Sequence, residues 1–216
     1  MKVRPLTEIL QESPAYTERQ GWRFDSDALR LVNPKFGSVE QVVICADNGN
    51  PLWDQYQIVE NVGAVIVPYT LQDVGWRIGL ITTERPVVFG VSGVQGIKSI
   101  ELPRGFPVPG ETSKQAAQRE LSEETGRQAV VLEALGLINP NTAFYTTSIP
   151  AYAAQVDLGR KEEVKTQGYE KILKSEFKDV AEVVSMLQRG DITCGFTQAA
   201  LMLFFAGKVL PGAKRF

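Results

Sequence analysis

GFPVPGETSKQAAQRELSEETGR, residues 105–127, decides how this chain is read. No proline interrupts it after Pro109, Thr112 or Ser113 can cap a helix start, and Gly126 sits where a left-handed residue closes one. A helix is therefore predicted over 113–125. On that helix Glu120, Glu123 and Glu124 fall at i, i+3 and i+4, so three carboxylates share one face. Like charges at this spacing destabilise an isolated helix by roughly 0.2–0.5 kcal/mol per pair. No lysine is interleaved to offset them, and a hard divalent cation is the simplest compensation. Mg²⁺ or Mn²⁺ is expected, since both prefer oxygen donors and keep positions for water and substrate phosphate.

The stretch resembles the Nudix box: Gly, five residues, Glu, seven residues, then Arg-Glu-U-x-Glu-Glu-x-Gly-U, with U apolar. Gly105, Glu111, Arg119, Glu120, Glu123, Glu124 and Gly126 match the fixed positions, and Leu121 the first U. Seven such matches arise by chance on the order of once in 10⁶ chains of this length. Arg127 stands at the second U, where the pattern is apolar. The resemblance implies the family's α/β/α sandwich over roughly residues 60–216, with the box forming a loop, helix and loop. It also implies metal-dependent hydrolysis of a nucleoside diphosphate linked to another group. Glu120 and Glu124, one turn apart, are the first candidates for metal ligands and catalytic carboxylates, with Glu123 next. The family pattern adds the backbone carbonyl of Arg104 to the ligand set. Glu111 and Arg119 are expected to pair and hold the loop on its helix, with Gly105 and Gly126 as the structural glycines of the box.

QIVENVGAVIVP at 57–68, RIGLITTERP at 77–86 and IELPRGFPVPGE at 100–111 resemble the ADP-ribose and ADP-sugar pyrophosphatase branch. That branch implies substrate contacts from Arg85, Glu101 and Arg104, the last replacing a usually small residue. Thr83 and Glu84 depart from its pattern, and Pro140 is the counterpart of a proline downstream of the box. Among the aromatics, Trp53 is the candidate to stack on a base. A glutamate from a later loop serves as general base in this branch, which here points to Glu163 or its neighbour Glu162, ahead of Glu170. The branch also implies a homodimer with the N-terminal unit crossing to its partner. Two other functions stay open: hydrolysis of a dinucleoside polyphosphate or dinucleotide coenzyme, and a non-hydrolytic ADP-ribose-sensing module. The complete set of box glutamates argues against the last.

The rest of the composition excludes more than it assigns. The 216 residues carry a net charge of −2 and no histidine. Carboxylates are thus the available acid and base groups, zinc is not expected, and no general basic surface exists for nucleic acid. Cys45 and Cys194 lie far apart and fit reduced thiols, which points to the cytoplasm. No apolar run approaches the roughly 18 residues of a membrane span, and the N-terminus does not read as a secretory signal. A nucleotide-type small molecule is the expected partner.

Along the chain, an α+β fold with a mixed sheet covered by helices is expected, preceded by a small antiparallel strand unit over 1–60 and with 61–216 as the Nudix domain. In the first unit 39–46 and 52–59 form a hairpin around AspAsnGlyAsn at 47–50. Further strands are expected at 63–68, 76–83, 100–102, 129–138, 148–156 and 169–177. The stretch with Gly90, Gly93 and Gly96 is read as a loop, and 159–168 as a mobile charged loop. A helix capped by Asp179 ends at Gly190, and a last helix over 198–206 is apolar nearly all round and expected to be buried.

Overall fold

The computed structural model of the chain describes residues 23–25, 30–47, 51–72, 75–85, 97–160, 162–164 and 171–210. Gly90, Gly93, Gly96 and Glu170 lie outside them. Internal contacts divide the chain into two units, one built on the N-terminal strands with Asn139–Ser148, the other on Gly63–Ile138 and Ile149–Phe216.

In the first unit β1 (Arg23–Asp25), β2 (Arg30–Asn33), β3 (Gly37–Cys45) and β4 (Pro51–Glu60) form an antiparallel sheet in chain order. The turn between β2 and β3 is made by Asn33, whose side-chain oxygen accepts from the amides of Lys35 (2.9 Å) and Phe36 (3.3 Å). Gly37 comes next at φ 116°, and a Cβ there would overlap the Val59 carbonyl across the sheet. The expected hairpin is β3–β4. Asn139–Ser148 joins this unit through Ile58, whose amide donates to Phe144 O (2.6 Å) and whose carbonyl accepts from Thr146 N (3.1 Å). Trp53 lies on β4, but its side chain is outside what is described.

The second unit contains β5 (Ala64–Gln72), β6 (Gly75–Arg85), β7 (Ile97–Glu101), β8 (Arg104–Gly105), β9 (Ala129–Ile138), β10 (Ile149–Val156) and β11 (Ile172–Asp179). The strand order is β11-β6-β5-β10-β9, with β7 on β6 and β8 on β5. β5 and β10 run parallel while the other pairs are antiparallel, so the sheet is mixed. Among the described residues three α-helices accompany it: α1 (Ser113–Thr125), α2 (Val180–Arg189) and α3 (Gly195–Phe204).

β5 explains the layering. Its Val65, Val67 and Tyr69 pack with Val183 and Met186 of α2 and Ala200, Leu201 and Phe204 of α3. The alternate residues Ala64 and Ile66 pack with Ala117 and Leu121 of α1. Successive residues of a strand face opposite sides, so α1 covers one face and α2 with α3 the other. A central strand covered on both sides needs the unbroken apolar run AVIV rather than alternation. Leu121 is fully buried, which contributes about 1.5–3 kcal/mol.

Two expectations are corrected. The last helix begins earlier than 198 and is not buried all round: Phe196, Thr197, Ala200, Leu201 and Phe204 form its covered stripe, while Met202 is 65% exposed. An outer-layer helix can press only one stripe onto a sheet, whatever its composition. β8 is absent from the expected strands, because two residues carry no periodicity; it exists because Ala64 and Val65 of β5 pair with Gly105 and Arg104. The departures Thr83 and Glu84 serve strand pairing: Thr83 Oγ1 donates to Lys171 O (3.2 Å), and Glu84 pairs with Lys171 Nζ (2.5 Å).

Candidate active site

α1 is fixed at both ends, which sets where its carboxylates stand. Thr112 Oγ1 accepts from Gln115 N (3.3 Å) and Gln115 Oε1 accepts from Thr112 N (2.8 Å), a reciprocal cap. At the other end Gly126 adopts φ 66° and its N–H donates to Ser122 O (2.8 Å).

Glu120 and Glu124 are 7% and 4% exposed. Both lie against β8. The Arg104 amide donates to Glu124 Oε2 (3.1 Å), and a Cβ on Gly105 would overlap the Glu120 carboxylate. The first glycine of the motif is thus required by the close approach of a buried acid to the backbone. Gly105→Ala is expected to lower kcat about tenfold or more by displacing Glu120, with an overpacking cost of about 1–3 kcal/mol. Steady-state kinetics beside thermal melts check this; a rate equal to the unaltered chain's would exclude it.

Arg119 ties the loop to the helix. Its Nε donates to Glu111 Oε1 (3.0 Å), Nη1 to Glu120 Oε1 (2.8 Å) and Glu123 Oε2 (3.0 Å), and Nη2 to Phe106 O (2.7 Å) and Glu111 Oε2 (3.1 Å). Burial works against its charge, but the bonds to Glu111 and Glu120 outweigh it and raise the guanidinium pKa further. The bond from Arg119 in turn holds Glu111 below the usual carboxylate range. One guanidinium therefore faces Glu111, Glu120 and Glu123 at once.

The donor set suits a hard divalent ion: carboxylates, two of them buried one helical turn apart, and no competing histidine. Among the described residues no three acidic side chains are grouped so that they alone could hold a metal ion. Arg119 draws Glu120 and Glu123 to itself. A bound ion thus needs further oxygens from the main chain, water or substrate phosphate, the usual situation for Mg²⁺.

Arg85, at the end of β6, and Glu101, at the end of β7, form a two-pronged pair: Nε to Oε1 at 3.0 Å and Nη2 to Oε2 at 2.6 Å. Glu101 is 5% exposed. Burial would raise its pKa, but the bond and charge of Arg85, with Ser99 and Arg104, carry it below the usual value. The Glu101 bond raises Arg85. A carboxylate depressed in this way contributes stability above its unfolded pKa, and the contribution is lost as pH falls through the folded value. Urea melts from pH 7 to 3 should therefore show a loss of stability below about 4.5, the ordinary value, that is smaller in Glu101→Gln. Parallel pH curves for the two chains would contradict this.

Arg104 does not point its charge into open solvent: its guanidinium lies 4.5 Å from the ring centre of Phe196, at the start of α3. The next residue, Thr197, accepts from Leu102 N at 3.0 Å in the buried interior. Neither Phe196 nor Thr197 is visible in the sequence as a site residue, because nothing in their own stretch differs from an ordinary helix start. Glu162 and Glu163 are exposed, and the Glu162 amide donates to Gly126 O at the end of α1 (2.8 Å).

The sequence matches the NUDIX domain over residues 79–193, from β6 through the box to the turn before α3. The chain belongs to the Nudix family. Among solved structures, the crystal structure of an ADP compounds hydrolase resembles this Nudix chain with a TM-score of 0.61. The two are 19% identical, and the alignment covers 82% of this chain and 89% of the other, so the likeness is one of fold. The comparison with curated proteins gave no match. As a Nudix hydrolase the chain takes a nucleotide-type small molecule, and Nudix enzymes generally use a divalent metal ion. No helix among the described residues is long and apolar enough to cross a membrane.

Proposed function

We propose that this Nudix hydrolase cleaves the diphosphate of ADP-ribose or an ADP-sugar, releasing a nucleoside monophosphate and a sugar phosphate. The observation that carries it is the burial of Glu120 and Glu124 against the Arg104–Gly105 backbone, with the Arg85–Glu101 pair on the strands leading into the box. The fold likeness to an ADP compounds hydrolase supports the substrate class.

Glu120 and Glu124, with Glu123 and the Arg104 carbonyl, would hold Mg²⁺ or Mn²⁺. When bound, such an ion would supply charge neutralisation for the diphosphate and a lowered pKa for a coordinated water. Arg85 binds phosphate, and Glu101 keeps its guanidinium oriented through two bonds. Glu163 accepts the proton of the attacking water as one P–O bond forms and the bridging P–O bond breaks. Arg104, stacked on Phe196, presents a second cation. Trp53 is the aromatic expected to stack on the base, the branch resemblance implies a homodimer through the N-terminal unit, and two cysteines far apart in the sequence fit the cytoplasm.

A panel of ADP-ribose, ADP-glucose, a dinucleoside polyphosphate and a dinucleotide coenzyme, each with Mg²⁺ or Mn²⁺, tests the reading by product release. Turnover highest for the ADP-sugars supports it. Binding of ADP-ribose without turnover of any member would replace it with a sensing role.

A further inference from the structure

Arg127 stands where the box pattern is apolar, and no role above uses it. Its side chain turns back from the end of α1 onto the turn after β10. There a single nitrogen, Nη1, donates to three main-chain carbonyls: Leu158 at 2.8 Å, Arg160 at 2.5 Å and Asp157 at 3.4 Å. The guanidinium carbon lies 6.0 Å from the ring centre of Phe177 on β11. Three carbonyls turned towards one point make a cup of partial negative charge that a cation fills and an apolar side chain leaves unsatisfied.

Its two chain neighbours grip the same turn. Gly126 O accepts the Glu162 amide at 2.8 Å, and a Cβ on Gly126 would overlap the Glu162 carbonyl. The glycine thus serves the approach of the loop as well as the left-handed cap. Gln128 Nε2 reaches Ser122 Oγ of α1 (3.0 Å) and Glu162 Oε2 (3.4 Å). Three consecutive residues leaving α1 thus hold Asp157, Leu158, Arg160 and Glu162, and Glu163 is the next residue in the chain.

We infer that Arg127 is a positioning residue that, with its neighbours, clamps residues 157–160 and 162 to the end of α1, so that Glu163 is held in fixed relation to Glu120 and Glu124. The helix that carries the metal carboxylates and the loop that carries the proton acceptor then move as one body. Catalytic geometry tolerates little slack, and a misplacement of about 1 Å costs on the order of 10²-fold in rate. The effect on rate rests on the hydrolase reading above; the clamp itself does not.

The test compares the unaltered chain with Arg127→Ala, Arg127→Leu and Arg127→Lys. Hydrogen exchange is read at the Glu162 amide against amides of β5, and kinetics are read as kcat and KM. In Arg127→Ala, Glu162 exchange rises at least about tenfold with β5 unchanged, kcat falls by about 10²-fold, and KM is unaltered. Added guanidinium ion partly restores protection and rate. Arg127→Lys keeps the charge on a shorter side chain without the planar guanidinium, and falls between. Unchanged protection at Glu162, or protection and rate restored by leucine, overturns the clamp in favour of simple packing. Should the unaltered chain turn over no nucleotide, the hydrolase reading fails, while exchange and its guanidinium rescue still decide the clamp.

Discussion

Glu124→Gln is expected to lower kcat for metal-dependent cleavage by about 10²- to 10³-fold, or about 3–4 kcal/mol of transition-state stabilisation. The substitution is informative because it separates charge from shape. Glu124 is buried and accepts the Arg104 amide, a bond that the glutamine oxygen can still accept. The main-chain position of β8 is therefore preserved, and the melting temperature should stay level or rise, since one like charge leaves the helix face. What disappears is one full negative charge beside Glu120, which a divalent ion needs far more than the fold does. The checks are product release across a metal titration and a melt on the same sample. A variant with the rate and metal dependence of the unaltered chain would remove Glu124 from the metal site, and with it the role of the buried pair.

Arg119→Met should have the largest effect on stability. The guanidinium it removes serves Glu111, Glu120, Glu123 and the Phe106 carbonyl together. Deleting one side of a buried ion pair costs about 3–5 kcal/mol, and the partial exposure of this cluster places the loss near the lower end, about 3 kcal/mol. For a chain of this size that corresponds to a melting point lower by roughly 6–12 °C. The sign with pH comes from the carboxylates. Arg119 depresses Glu111, so its benefit is present at neutral pH and disappears as the medium becomes acidic enough to protonate the folded carboxyl. The difference between the two chains should thus narrow on acidification. A divalent cation should also raise the melting point of Arg119→Met more than that of the unaltered chain, because it supplies the missing positive charge. Equal shifts with metal, or a deficit that does not change with pH, would show that Arg119 acts through packing alone.

Much of the box is legible without coordinates. The helix over 113–125 is α1, with Thr112 capping it and Gly126 closing it, since capping and left-handed glycine act within a single turn. The expected pairing of Glu111 with Arg119 is present, although the reach of the same guanidinium to Glu120 and Glu123 has no signature in the sequence pattern. Strands 129–138 and 148–156 are readable from their apolar runs, whereas two-residue β8 has no pattern to read. Arg127 stands out in the sequence only as a departure, and its partners lie some thirty residues onward at Asp157, Leu158 and Arg160. The start of α3 gives no sign that Phe196 meets Arg104.

By itself the sequence determined the family, the mixed α+β class and the shared helix face of Glu120, Glu123 and Glu124, because periodicity, caps and motif spacing are properties of neighbouring residues. Tertiary structure decided which charges meet. In the β6–β7 ladder Arg85 stands opposite Ile97 and Glu101 opposite Ile81, so the pair forms only because the two strands lie side by side and the long arginine side chain reaches along them. Glu120 needs Gly105 only because β8 is drawn onto β5. Register is set by the packing of the whole sheet, and no local stretch contains it.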